Sequence, residues 1–248
     1  QMCIRDSYCF KVIVLNTRPK SLSRKIRGIC EEKKIELYNA YLSKVEPLDF
    51  DENIDTWKLK LNGIEKYSNL VFTSQSAAIF GLKILEQKFD IKNISQNILC
   101  IGLATKEILA NRDIDSISPS VQSSEGLMGL IENKYSGKSL LFCGKNSNKN
   151  LQKKLNSAID EIVCYELIFD KTALNEIIDG PKIILIYNFL TLSFILENID
   201  QNLLNQKDFV VASNRIKEKA LEINRDLKIV VSEDPSDEEM LVAAKNFI

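Results

Sequence analysis

The sequence predicts an α/β protein of two lobes, each a parallel sheet flanked by helices. Three observations predict it. First, short apolar runs recur, at residues 11–15, 70–73, 98–102, 139–143, 182–187, 209–212 and 228–231. Runs this short and this uniformly apolar suit strands buried on both faces. Second, the segments between them carry helical spacing. Leu22, Ile26, Ile29 and Cys30 share one face, as do Leu103, Ile108 and Leu109. Third, two segments break the alternation. Residues 36–45 and 162–169 are extended in character, hold Tyr38, Tyr41 and Tyr165, and lead into no evident helix. We read them as crossings between lobes. Residues 10–37 and 170–248 then form a first lobe that is discontinuous in sequence, and 49–161 form the second. Residues 38–48 and 162–169 are linkers, and 1–9 a disordered leader.

Composition narrows the chemistry. The 248 residues hold 33 Lys plus Arg against 34 Asp plus Glu, a net charge of −1. No overall field attracts nucleic acid or an anionic membrane, so an anionic ligand has to be met locally. No apolar run reaches the length of a membrane span. The first run is short, contains Lys11 and precedes no small-residue cleavage site, so it reads as a strand and not a signal peptide. Six cysteines are scattered with no Cys-x-x-Cys pair, which points to a reducing cytoplasm. Histidine is absent, which removes Ser-His-Asp and Cys-His catalysis and His-ligated zinc. Neither glycine-rich phosphate motif is present. The expectation is an enzyme or binding protein with no cofactor and no metal. The acidic stretch 49–55 reads as a solvated linker. Ser236-Asp237-Glu238-Glu239 reads as a capping box opening the last helix.

Candidate site residues lie at strand ends. In open parallel sheets, ligands bind beyond the carboxyl ends of the strands. Small polar residues follow several strands here: Asn16-Thr17-Arg18-Pro19, Thr73-Ser74-Gln75-Ser76, Gly102-Leu103-Ala104-Thr105, Gly144-Lys145-Asn146 and Ser213-Asn214-Arg215. Taken singly, each is an ordinary helix cap. Five together, on both lobes, suit a cleft that binds a ligand with several carboxylates or phosphates at helix N-termini. Arg18, Lys145 and Arg215 add charge. The candidate binding set is Thr17, Arg18, Ser74, Gln75, Ser76, Gly102, Thr105, Gly144, Lys145, Ser213, Asn214 and Arg215.

These motifs, in order, resemble the uroporphyrinogen-III synthase family. Thr17-Arg18-Pro19, Val71-Phe72-Thr73-Ser74 and Ile101-Gly102-Leu103-Ala104-Thr105 carry the resemblance first. Ser124-Glu125-Gly126-Leu127, Leu141-Phe142-Cys143-Gly144, Val163-Cys164-Tyr165-Glu166, Ala212-Ser213-Asn214-Arg215-Ile216 and Pro235-Ser236-Asp237 with Met240-Leu241 continue it to the end. The resemblance implies two lobes joined by a two-stranded ladder. It implies a lyase that closes hydroxymethylbilane to uroporphyrinogen III, inverting the last pyrrole through a spiro intermediate. The sequence carries no strong oligomer signal, so the expectation is a cytoplasmic monomer, in transient contact with the preceding pathway enzyme. Tyr165 matches a family tyrosine and is the candidate proton donor. The chain departs from the family at Tyr187-Asn188-Phe189, where many members have a Ser-rich turn. After Gly144 an Arg is frequent, and Lys149 is the nearest counterpart. A non-enzymatic bilobed binding module or sensor for a small polyanion shares the same hinge, cleft and helix ends, as does a degenerate member that only binds tetrapyrroles.

Overall fold

A computed structural model describes residues 12–147 and 149–247; the expected leader, 1–9, lies outside them. The chain opens with β1 (Ile13–Asn16), α1 (Arg24–Glu32), β2 (Glu36–Asn39), β3 (Ser43–Pro47), α2 (Phe50–Leu61), β4 (Asn69–Phe72) and α3 (Gln75–Leu85). It continues through β5 (Asn97–Cys100), α4 (Leu103–Ala110), α5 (Ser124–Asn133), β6 (Ser139–Gly144), α6 (Asn150–Leu155), β7 (Ile159–Phe169) and α7 (Asn175–Ile178). Last come β8 (Ile183–Ile186), α8 (Phe189–Asn198), α9 (Gln201–Leu204), β9 (Asp208–Val211), α10 (Asn214–Ile223), β10 (Lys228–Val231) and α11 (Asp237–Ala244). The α/β class with two parallel-rich sheets is therefore as the sequence predicts.

Two compact units result. One comprises residues up to Lys44 together with Ile168–Ile248, and the other is Val45–Leu167. The first holds the sheet β10-β9-β8-β1-β2, in which all four pairings are parallel. The second holds β3-β7-β6-β4-β5, parallel from β7 to β5. The chain passes between units inside β3 and β7, which are sheet neighbours. Leu48 N donates to Cys164 O and Asp170 N to Leu42 O at the two ends of that ladder.

The strands form where they do because they are buried on both faces. In β4 the four side chains of Asn69–Phe72 are all buried, as are those of Ile183–Ile186 in β8. In the second unit the alternation of strand side chains splits the core in two. Phe72, Phe142 and Ile162 pack with Ala78 and Leu82 of α3. Val71, Leu141 and Cys143 pack with Leu127 and Ile131 of α5. Phe72 stacks on Phe142 at 4.9 Å.

Both sheets share one topology. With the crossing strand β3 left out, β2-β1-β8-β9 in the first unit and β5-β4-β6-β7 in the second each run second strand, first, third, fourth, a doubly wound order whose direction reverses between the first and third strands. Ligands of such folds bind at that reversal. In the first unit it lies between β1 and β8, and in the second between β4 and β6.

Several local expectations need correction. The acidic stretch 49–55 is no linker, because from Phe50 onward it is helix α2. Acidic side chains in a first turn are favoured by the helix dipole. The second crossing also leads into helix, a 3₁₀ turn at Lys171–Leu174 and then α7. The first crossing is two strands, and β2 belongs to the first unit's sheet. Leu22 lies in a 3₁₀ turn ahead of α1. Leu103 is 59% exposed, so the buried side of α4 is Thr105 and Leu109. Ser236 does cap α11, accepting from Glu239 N at 3.2 Å. In place of the return bond to Glu239, Ser236 N donates to Asp234 Oδ1 at 2.7 Å.

Candidate functional site

The carboxyl ends of the two sheets carry the candidate residues, and the same device appears at both reversals. Thr17, just after β1, donates to Leu185 O of β8 at 2.6 Å. Thr73, just after β4, donates to Phe142 O of β6 at 3.3 Å. Each hydroxyl extends the pairing of its two strands by one bond at the reversal.

In the second unit the site is built on a strand irregularity. The β6–β7 register shifts after Cys143, which pairs with Val163, so that Gly144 pairs with Tyr165. Consecutive strand residues normally face opposite sides. Here Cys164 and Tyr165 both pack against the α3 face of the sheet. The extra residue turns the phenol onto that face, the re-aiming for which bulges are used. Its ring lies on Gly144, where a Cβ would stand 2.7 Å from Tyr165 Cζ. The phenol reaches Ser74 Oγ at 3.0 Å. Ser74 is the N-cap of α3 and accepts from Ala77 N at 3.1 Å. Burial raises the Tyr165 pKa, opposed in part by the Ser74 bond, so the phenol keeps its proton at neutral pH. Sequence reasoning separately named Tyr165, Ser74 and Gly144; the structure brings all three together.

The other second-unit candidates are dispersed. Ser76 and Thr105 are buried, 5% and 4% exposed. Gln75 is half-buried at the start of α3. Gly102 is the N-cap of α4, and the first amide of that helix, Leu103 N, is occupied by Gln122 Oε1 at 2.9 Å. Lys145 pairs with Glu166 at 2.9 Å at the surface. Lys149 is held by Glu161 at 2.7 Å.

In the first unit, Arg18 follows Thr17 and is engaged on three sides. Its Nε stands 3.4 Å from Asp237 Oδ1, and its Nη2 donates to Pro235 O at 3.3 Å. Its guanidinium lies over the Tyr187 ring at 3.8 Å. Tyr187 donates to the same Asp237 oxygen at 2.8 Å. Burial pushes the Tyr187 pKa well up. Ser213 begins α10 without capping it through its side chain. Asn214 is exposed, and Arg215 is half-buried with no ion pair among the described residues. The start of α10 is thus less engaged by other side chains than Arg18 is.

Sequence reasoning missed Tyr187, Asp237 and Gln122. The break in the strand-end pattern at Tyr187 is the signal for the first. Asp237 and Gln122 carry no local signal, because their partners lie far off in sequence. Among the described residues no group of three His, Cys, Asp or Glu is placed to hold a metal ion, and no helix is long and apolar enough to cross a membrane.

A mutant uroporphyrinogen III synthase from the extremely thermophilic bacterium Thermus thermophilus has the same fold, at a TM-score of 0.65 and 12% identity, over 95% of this chain and 98% of that one. The uroporphyrinogen-III synthetase of Helicobacter pylori superposes at a TM-score of 0.58 and 15% identity, over 96% of this chain and 100% of that one. No curated protein sequence matches. The family model described as Uroporphyrinogen-III synthase HemD matches residues 27–242, which include both crossings and Tyr165. A match over nearly the whole chain, on a fold of this topology, places the chain in the uroporphyrinogen-III synthase family.

Proposed function

We propose that the chain is a uroporphyrinogen-III synthase. It closes hydroxymethylbilane into uroporphyrinogen III with inversion of the last pyrrole, as a hydro-lyase without cofactor. What supports the reading is the family match across residues 27–242. The same match favours an enzyme over a binding module. The substrate is a flexible chain of four pyrroles carrying acetate and propionate groups. The pyrrole nitrogens push out the terminal hydroxyl, leaving an electrophilic azafulvene. The last pyrrole attacks through its substituted carbon to give the spiro intermediate, which fragments and recloses. The protein's main contribution is to hold one folded geometry, an orientation effect.

Tyr165 assists departure of the hydroxyl. In this reading Ser74 Oγ, which accepts from Ala77 N, donates its own proton to the Tyr165 oxygen 3.0 Å away, and the phenolic proton is left for the substrate. A neutral phenol suits that role. Carboxylates are met at Ser213, Asn214 and Arg215, at Lys145, and at the α3 amides beside Ser74 and Gln75. Thr17, Ser76, Gly102, Thr105 and Gly144 shape the strand ends that present these groups. A reducing cytoplasm suits the free buried thiols of Cys30, Cys100, Cys143 and Cys164, and we take the working form to be a monomer.

The test is turnover of hydroxymethylbilane with the product isomers resolved by chromatography. Tyr165→Phe is expected to fold normally and lose up to about a hundredfold in single-turnover rate. Its residual product stays the type III isomer, because geometry and not the phenol sets the isomer. An unchanged rate removes Tyr165 from the chemistry. A wild-type protein that releases only the unrearranged ring overturns the reading.

A further inference from the structure

We infer that Tyr187 and Asp237 are positioning residues for substrate binding, acting through Arg18. They hold its guanidinium flat at the β1/β8 reversal and leave part of it for a ligand carboxylate. The inference rests on the polycarboxylate substrate proposed above.

The place itself is informative. The ends of β1, β4, β6 and β9 carry small residues, Thr17, Thr73, Gly144 and Ala212. The end of β8 instead carries an aromatic ring, and Arg18 is stacked on it at 3.8 Å. The side chain of Arg18 is 13% exposed and that of Asp237 2% exposed. Burying a guanidinium beside a carboxylate and over a π-face is how such a cation is kept near an interior. Asp237 in turn is fixed by the Tyr187 hydroxyl and by its place at the start of α11.

The cluster is incompletely satisfied, which a purely structural ion pair would not need to be. Arg18 Nε is buried and lacks a well-formed hydrogen bond, since 3.4 Å to Asp237 is ion-pair distance only. Nη2 has a single long bond to Pro235 O. Nη1 is not among the buried unpaired atoms of the described residues. A guanidinium with its plane set and donors in hand is suited to a carboxylate, which it can bind through two parallel bonds. Without the ring and Asp237 the same side chain is a long flexible cation that must be ordered at each binding event.

Steady-state turnover of hydroxymethylbilane and calorimetric binding of the uroporphyrinogen product test this on the full chain. Tyr187→Phe keeps the ring and removes the bond to Asp237, and Asp237→Asn keeps the shape and removes the charge. Each is expected to raise KM and product Kd several-fold, with a smaller effect on kcat. Arg18→Ala is expected to raise both about tenfold. The decisive readout is the double variant: in the Arg18→Ala background, Tyr187→Phe and Asp237→Asn should raise KM no further. If Asp237→Asn fails to fold, Tyr187→Phe carries the cycle alone. Effects on KM that persist in the Arg18→Ala background overturn the inference, as does a lowered Tm with KM unmoved. A wild-type protein that binds the product without converting the substrate sinks the synthase reading, while the coupling is still read from product Kd.

Discussion

Replacing Gly144 with alanine tests how tightly Tyr165 is held. The new methyl would stand 2.7 Å from Tyr165 Cζ, 2.8 Å from Cε2 and 3.0 Å from the hydroxyl oxygen. Carbon atoms rest comfortably at about 3.5 Å, so the ring has to retreat by roughly 0.8 Å. A movement of that size takes the 3.0 Å bond to Ser74 toward the limit of hydrogen bonding. Overpacking of this kind costs about 1–3 kcal/mol, and the weakened bond adds about 1 kcal/mol. The stiffer unfolded chain returns about 0.4–1 kcal/mol. We expect a net loss of about 1–3 kcal/mol by urea unfolding, and a single-turnover rate lowered toward that of Tyr165→Phe. Gly28→Ala is the control. It sits on the exposed face of helix α1 with nothing within 4 Å of the new methyl, so it should stabilise by about 0.5–1 kcal/mol. A Gly144→Ala protein as stable and as active as wild type would refute the idea that glycine is there to seat the phenol.

Other outcomes follow from the same geometry. Lys138 and the Tyr67 hydroxyl, at 2.8 and 2.6 Å, hold Asp160 below the usual carboxylate range. A depressed native pKa adds stability that is present above the unfolded value and lost as pH falls, so unfolding free energy should decline below about pH 4; Asp160→Asn should flatten that decline in a pH series of urea melts. Burial and the Asp160 bond raise the Tyr67 pKa, so its contribution is full at neutral pH and lost above about pH 10, and Tyr67→Phe should remove that alkaline loss. Ser236→Ala deletes the cap of α11 and should lower stability by about 1 kcal/mol, read by thermal or urea melts. Exhaustive chelation and dialysis should leave turnover intact, and a need for re-added metal would contradict the cofactor-free reading.

The parts legible in the sequence are those set by local burial. β4 and β8 are four-residue segments with no solvent face, so their apolar runs betray them, and the Ser-, Thr- and Gly-rich ends mark where chain leaves sheet. Helix α2 is hidden because its acidic first turn resembles a solvated linker. The bulge at Cys164 is hidden as well: Val163-Cys164-Tyr165 alternates like any strand, and only the β6 register reveals the slip. Tyr165 is therefore nameable from sequence, but its seat on Gly144 is not. Arg18 follows the same rule. Its charge is plain, yet Asp237, which is more than two hundred residues away, decides how much of that charge a ligand meets.

The position of β1 has a consequence for how the protein is made. β1 is an interior strand, paired on one side with β2 and on the other with β8. The bond from Thr17 to Leu185 spans 168 residues of sequence. A ribosome adding about 5–20 residues per second needs roughly ten to thirty seconds to supply that partner, and for that time one edge of β1 is unpaired and apolar. The segment Val45–Leu167 carries its own core and is synthesised in full before β8 begins at Ile183. The order of assembly is thus middle first and ends last. The nascent chain is most exposed to aggregation and chaperone capture while β1 and β2 wait for their neighbour.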